Sequence, residues 1–264
     1  MRNHQPFVIF SAVFLALTGA GLLLGENAPT TPARISRWFN PMTLSGEVLP
    51  VSGTGPVLFR FKRSTSVSQT TALAEWDYTY PDGKLAVRER TSYDAEGLTA
   101  YEFDQLQTGE RGSARLIRDP QSPSKSRIEF EYRKGPNTET KRSSERLQPN
   151  TIAGDMVGMF LATHWEELLA GRTLKTRYIV VERTETIGFS FWKTGESVSQ
   201  GRNTITVNME PSSPILAALV DPLTFTVEKI PPHYILQYVG RTTPKLRAGN
   251  KWKDFDAVNL NHFD

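Results

Sequence analysis

Four histidines and no cysteine are what the chain offers for acid–base or metal chemistry: His4, His164, His233 and His262. No two stand at the i, i+4 spacing that places imidazoles on one helical face, and no His-Glu-x-x-His occurs. The sequence therefore predicts neither a metal site nor a cofactor. Without cysteine there is no zinc finger, Fe–S cluster, thiol nucleophile or disulfide framework. Gly188-Phe189-Ser190-Phe191-Trp192 lacks the closing glycine of a nucleophile elbow and falls in a strand pattern. Glu166 and Glu167 follow His164, and Asp221 follows a short apolar segment, but a sequence does not give the separation that paired carboxylates need. No residue is assigned a catalytic role. A hydrolase with a site spread over several strands stays open, on condition that His164 or His233 meets a carboxylate or serine in a cleft.

One charge feature is local. The chain has 31 Lys and Arg against 28 Asp and Glu, a net +3, yet residues 111–146 hold ten basic and five acidic residues. Arg133, Lys134, Lys141 and Arg142 flank a turn at Gly135-Pro136-Asn137. They suit either a surface for anionic lipid headgroups or an acidic envelope partner, or charged hairpin edges that block edge-to-edge pairing. No nucleic-acid partner is expected.

The elements that must position these residues are mostly strands. Val57, Phe59 and Phe61 alternate with Arg60 and Lys62; Trp76, Tyr78 and Tyr80 with Glu75 and Asp77; Leu85 and Val87 with Arg88 and Arg90. Ile128, Phe130 and Tyr132 alternate with charged neighbours in the same way. Period-two alternation gives strands with one apolar and one wet face, which form an antiparallel meander whose apolar side must be covered. Asn150-Thr151 can cap a helix that runs to about Ala170 and stops at Gly171. Its apolar surface, with Met156, Met159 and Phe160, is broader than a surface helix needs. Strands resume at 178–181, 187–192 and 204–209; a short apolar helix follows at 213–220, with Pro214 in its first turn.

Residues 7–24 are apolar, preceded by Arg2 and followed by Glu26, the charge order of an export segment. This predicts a signal peptide or an uncleaved membrane anchor over residues 1–25 and a periplasmic location. A Pro-rich linker is expected over 26–44, and a single β-rich domain over 45–264.

This order of one-sided strands with two inserted apolar helices, at 151–170 and 213–220, resembles the LolA/LolB-like half-barrel carriers of the bacterial envelope. The resemblance covers about residues 45–264 and implies a curved antiparallel sheet, a half-barrel or open barrel, wrapped around helices that shelter an acyl chain. The expected function is non-enzymatic binding or carriage of an apolar or lipid ligand, with Met156, Met159, Phe160, Ile215, Leu216 and Leu219 lining the cavity. The alternative is a membrane-tethered scaffold or assembly factor that uses the basic stretch.

Overall fold

The alternating segments pair into one fifteen-stranded sheet in a computed structural model that describes residues 35–218 and 220–263. The signal peptide or membrane anchor expected over residues 1–25 therefore lies outside the described residues. The compact unit is Ala33–Asp264. Its first meander comprises β1 (Leu44–Pro50), β2 (Phe59–Val67), β3 (Ala72–Thr79), β4 (Leu85–Tyr93), β5 (Leu98–Gln105), β6 (Glu110–Ile117), β7 (Arg127–Arg133) and β8 (Lys141–Arg146). A second comprises β9 (Thr151–Ile152), β10 (Leu174–Val180), β11 (Glu185–Ser199), β12 (Arg202–Pro211), β13 (Leu223–Glu228) and β14 (Ile235–Arg241). A small hairpin, β15 (Leu246–Ala248) and β16 (Lys251–Lys253), stands apart, and β17 (Asp256–His262) joins the two meanders by pairing with both β1 and β14. Neighbours are antiparallel, except that β9 runs parallel to β10.

The sheet is curved and open, as expected of a half-barrel, with β8 and β9 as its edges. The edges approach without sharing a ladder: the Ser143 hydroxyl donates to the Thr184 carbonyl, and the Glu145 carboxylate accepts the Thr186 amide at 3.1 Å. Every residue of β8 except Glu145 is exposed, and it carries Lys141, Arg142 and Arg146, a composition that deters pairing with another chain.

The interior side chains follow the predicted parity. Phe59 and Phe61 of β2 and Val87 of β4 are buried with Val48 in one cluster. A larger cluster gathers Phe103, Phe130, Phe160, Phe191 and Phe225 from both meanders. Outward faces carry ion pairs between neighbouring strands, such as Arg90–Glu75 at 2.8 Å and Arg111–Asp104 at 3.0 Å. Part of the predicted linker is folded in, since Ser36 and Phe39 are buried and Phe39 packs on Tyr93 at 5.4 Å.

The central segment differs from the single helix expected over 151–170. Thr151 and Ile152 form β9, a 3-10 turn covers Gly154–Met156, and two short helices follow, α1 (Val157–Thr163) and α2 (Trp165–Leu169), separated at His164. The cause is a tertiary tie. Asp155 receives Arg63 Nε at 2.6 Å and the second guanidinium nitrogen at 3.1 Å, Trp76 Nε1 at 2.8 Å and the Tyr93 hydroxyl at 2.6 Å. A further Arg63 N–H donates to the Met42 carbonyl. The Arg63 and Asp155 side chains are 3% and 1% exposed. Burial alone would raise the Asp155 carboxyl, but Arg63, Tyr93 and Trp76 together hold it below the usual carboxylate range. Gly171 ends the second helix in a left-handed conformation, as predicted.

The short helix is α3 (Pro214–Ala217), which buries none of its side chains. It begins at Ser213 and Pro214 as the sequence suggests, but it lies on the surface rather than under the sheet.

Removing one partner of a buried ion pair leaves the other charge uncompensated, at a cost of about 3–5 kcal/mol. Asp155→Asn is therefore expected to lower unfolding stability by that order in urea titrations at neutral pH. Because the native carboxyl lies below its unfolded value, the wild-type contribution is present above the ordinary Asp range and fades as pH falls through it. The penalty of the variant should shrink accordingly in acid.

Candidate functional site

The inward parity of β4 runs through Val87, Glu89, Thr91 and Tyr93, so a carboxylate occupies an apolar register. Glu89 lies opposite Trp76 on β3 and Phe103 on β5, with Tyr78, Tyr101 and Gln105 as diagonal neighbours on the same face. Curvature brings the far meander over it: Tyr178 of β10 and Tyr238 of β14 both feel the charge of Glu89. Tyr78 and Tyr101 feel it as well, and burial together with this charge raises all four phenols. The segment between β14 and β15 enters from one end, where Thr243 donates its hydroxyl to Glu89 at 2.6 Å.

Glu89 is 8% exposed, and no cation offsets it: burial pushes its carboxyl up to about 7, against the Thr243 and Tyr101 hydroxyls, while Glu182 and Asp155 add to the rise. Asp155, by contrast, has its counter-charge in Arg63. Glu182 is exposed on its surface, and desolvation together with Glu110 and Asp254 raises its carboxyl. At the far end Glu110 accepts Lys245 Nζ at 2.6 Å and the Tyr132 hydroxyl at 3.1 Å.

Two buried polar atoms here have no partner among the described residues: Gln105 Oε1 and Asn259 Nδ2. Both border the entering segment. Gln105 donates its amide to the Thr243 carbonyl at 3.4 Å, and Asn259 accepts the Thr242 hydroxyl at 3.3 Å. Unsatisfied buried groups are rare and call for a reason.

The residues expected to line an apolar cavity do not form one wall. Met156 and Phe160 are buried in the main core, Phe160 lying 5.4 Å from the Phe191 ring, and Met159 is half-buried. Ile215 is 77% exposed and Leu216 half-buried, because α3 sits on the outside; Leu219 is outside the described residues. Of the basic set, Arg142 is bonded to Glu131 at 2.9 Å, and Arg133 lines an outer depression of about 260 Å³ together with Glu102, Asp104 and Glu131. Lys134 and Lys141 are exposed.

Two of the histidines share a second depression, of about 300 Å³, with Trp165, Glu166 and Glu167. His164 Nδ1 lies 3.0 Å from Glu167 Oε1, and His233 stacks on Trp165 at 3.8 Å. Asp221 and His262 are exposed, and His4 is outside the described residues. Among the described residues no cluster of three metal-ligating side chains occurs, and no helix is long and apolar enough to cross a membrane.

Sequence reasoning missed Arg63 and Glu89. The signal was present, since both continue the apolar parity of Phe59–Phe61 and Leu85–Val87. Glu89 binds its proton more tightly in the folded chain, so its favourable contribution is complete below the ordinary Glu range and is lost as pH rises towards about 7. Glu89→Gln is expected to match the wild type near pH 4 and to exceed it by about 3 kcal/mol at pH 8, measured by urea unfolding across that range. A wild-type curve flat between pH 4 and 8 would contradict this. Neither a protein-family model nor a curated relative matches the sequence.

Proposed function

We propose that the protein is a non-enzymatic binding protein of the bacterial envelope that holds a small amphiphilic, lipid-like ligand in the hollow of its open sheet. The observation that carries this reading is the convergence of Tyr78, Tyr101, Tyr178 and Tyr238, from strands of both meanders, on the unpaired Glu89. Tyrosines present an apolar ring and a polar tip, the combination suited to an amphiphile, and a shifted carboxylate within a hollow marks a site rather than a core. The charge order around the apolar residues 7–24 and the resemblance to half-barrel carriers support the location. Met156 and Phe160 belong to the main core cluster, so the reading places the ligand at the partly buried Tyr101, Tyr178 and Tyr238.

Hydrolysis is a second reading, favoured by the depression in which His164 meets Glu167. A glutamate on Nδ1 leaves Nε2 as the basic nitrogen, the arrangement of a general base. Thr163 is the only hydroxyl-bearing residue lining that depression, and Glu167 is a surface residue, so the dyad has no evident nucleophile beside it.

The purified chain is expected to give saturable, one-to-one enhancement of a neutral apolar fluorophore such as phenylnaphthylamine, and to release a lipid on organic extraction. Tyr101→Ala combined with Tyr178→Ala should weaken fluorophore binding by roughly tenfold, a typical effect of removing aromatic anchors. No saturable binding and no extracted lipid would end the carrier reading. Ester hydrolysis lost in His164→Gln would favour the second.

A further inference from the structure

Residues 242–245 connect β14 to the β15–β16 hairpin, yet they are bonded to strands that are not their neighbours in the sheet. Lys245 is latched onto the β5–β6 turn. Its backbone N–H donates to Gln107 Oε1 at 2.8 Å, its carbonyl accepts Gln107 Nε2 at 2.9 Å, and its Nζ lies 2.6 Å from Glu110 Oε1 at the start of β6. The Gln107 side chain thus pairs with Lys245 as a neighbouring strand would, and its Nε2 also donates to the Tyr80 hydroxyl at 2.7 Å. At the root, Arg241 holds Asp254 at 3.3 Å and Asp256 at 3.2 Å, which keeps the two stems of the excursion together.

Five strands, β4, β3, β2, β1 and β17, lie between β5 and β14 in the sheet. Six steps of about 4.8 Å make that path about 29 Å along the sheet. From Arg241 to Lys245 the chain reaches at most about 14 Å, four residues at full extension. The latch therefore closes only if this end of the sheet is curled, and residues 242–245 form a chord across the curl. The Asp155 tie lies towards the opposite end: β4 begins at Leu85, beside the β5–β6 turn, and finishes at Tyr93, which bonds Asp155.

The chord's seat is polar and incompletely bonded. Gln105 Oε1 and Asn259 Nδ2, buried atoms without partners among the described residues, sit on β5 and β17 to either side of it. Apolar burial within residues 242–250 is confined to Pro244 and the half-buried Leu246, and the β15–β16 hairpin shares no ladder with the main sheet. Hydrogen bonds of this kind exchange with water at small net cost.

We propose that residues 242–245 act as a releasable strap. While Lys245 is latched to Gln107 and Glu110, β5 and β6 are drawn towards β14; when the latch opens, this end of the sheet widens and the Asp155 end keeps its curl. The inference is independent of the ligand reading.

The chain has no cysteine, so pairs of introduced cysteines take spin labels specifically, and double electron–electron resonance reads the distance between them. One pair, Leu106→Cys with Asp221→Cys, spans the strap's end; a second, Val67→Cys with Ile230→Cys, spans the opposite end, and all four positions are exposed. In Gln107→Ala and in Glu110→Gln the first pair is expected to gain a population longer by at least about 5 Å, one strand spacing. The second pair should stay unchanged, which shows that the sheet is folded. A first distance identical to the parent in both variants overturns the strap. So does lengthening of both pairs, which marks general loosening rather than a released latch.

Discussion

A sheet that does not close needs something other than its own ladder to fix its curl, and the buried Arg63–Asp155 pair supplies it. Asp155 stands at the entry to the central helices, and its three partners come from β2, β3 and β4. One carboxylate thus ties the middle of the first meander to the segment that packs on its inner face. Such a pair adds little net stability over a well-packed apolar substitute. Its effect is positional: four directional bonds from three side chains place Gly154–Met156 in a single way, and with it the packing of Phe160 on Phe191. The short strand β9 then pairs with β10 in the only parallel step of the sheet.

The same fold holds a second buried carboxylate in the opposite condition. Asp155 has a guanidinium and is held ionised, while Glu89, opposite the Asp155 partner Trp76, has only hydroxyls and is raised towards neutrality. If both were structural, the pattern would be hard to explain, because an uncompensated carboxylate costs stability that a leucine at the same position would not. The groups around Glu89 come from both meanders, and Gln105 Oε1 nearby has no donor among the described residues.

Much of the architecture was legible because alternation is a local signal. Residues 57–61, 76–80 and 85–90 announce their strands and the side that faces inward, and Gly171 announces a helix end. What escaped was set by neighbours. β6 and β8 carry almost no apolar alternation, and they are strands because β5 and β7 offer them hydrogen-bonding partners. β1 is masked by Gly46, where the Phe61 ring lies so close that a Cβ would overlap it. The continuous helical pattern over 151–170 is real in composition but yields to the Asp155 tie, a contact spanning 92 residues of sequence. For the site, apolar periodicity pointed to Met156 and Phe160, which proved to be core. The informative residues were those that broke the pattern while keeping its parity, Arg63 and Glu89.

The seam between β8 and the start of β11 bears on how the hollow is reached. It is held by bonds from Ser143 and Glu145 to the Thr184–Thr186 backbone rather than by a continuous ladder. Each such bond is worth about 1 kcal/mol net, and the exposed, polar β8 contributes no buried apolar side chain to reinforce them. Local opening is easiest where apolar contacts are few, so this seam can part at far lower cost than the β1–β17 junction at the centre of the sheet. Val181, 1% exposed, packs against Gly112 beside the seam and supplies its apolar contact. A closed barrel would have no such edge. The sheet stays open at that edge, while Asp155 fixes its curl from within.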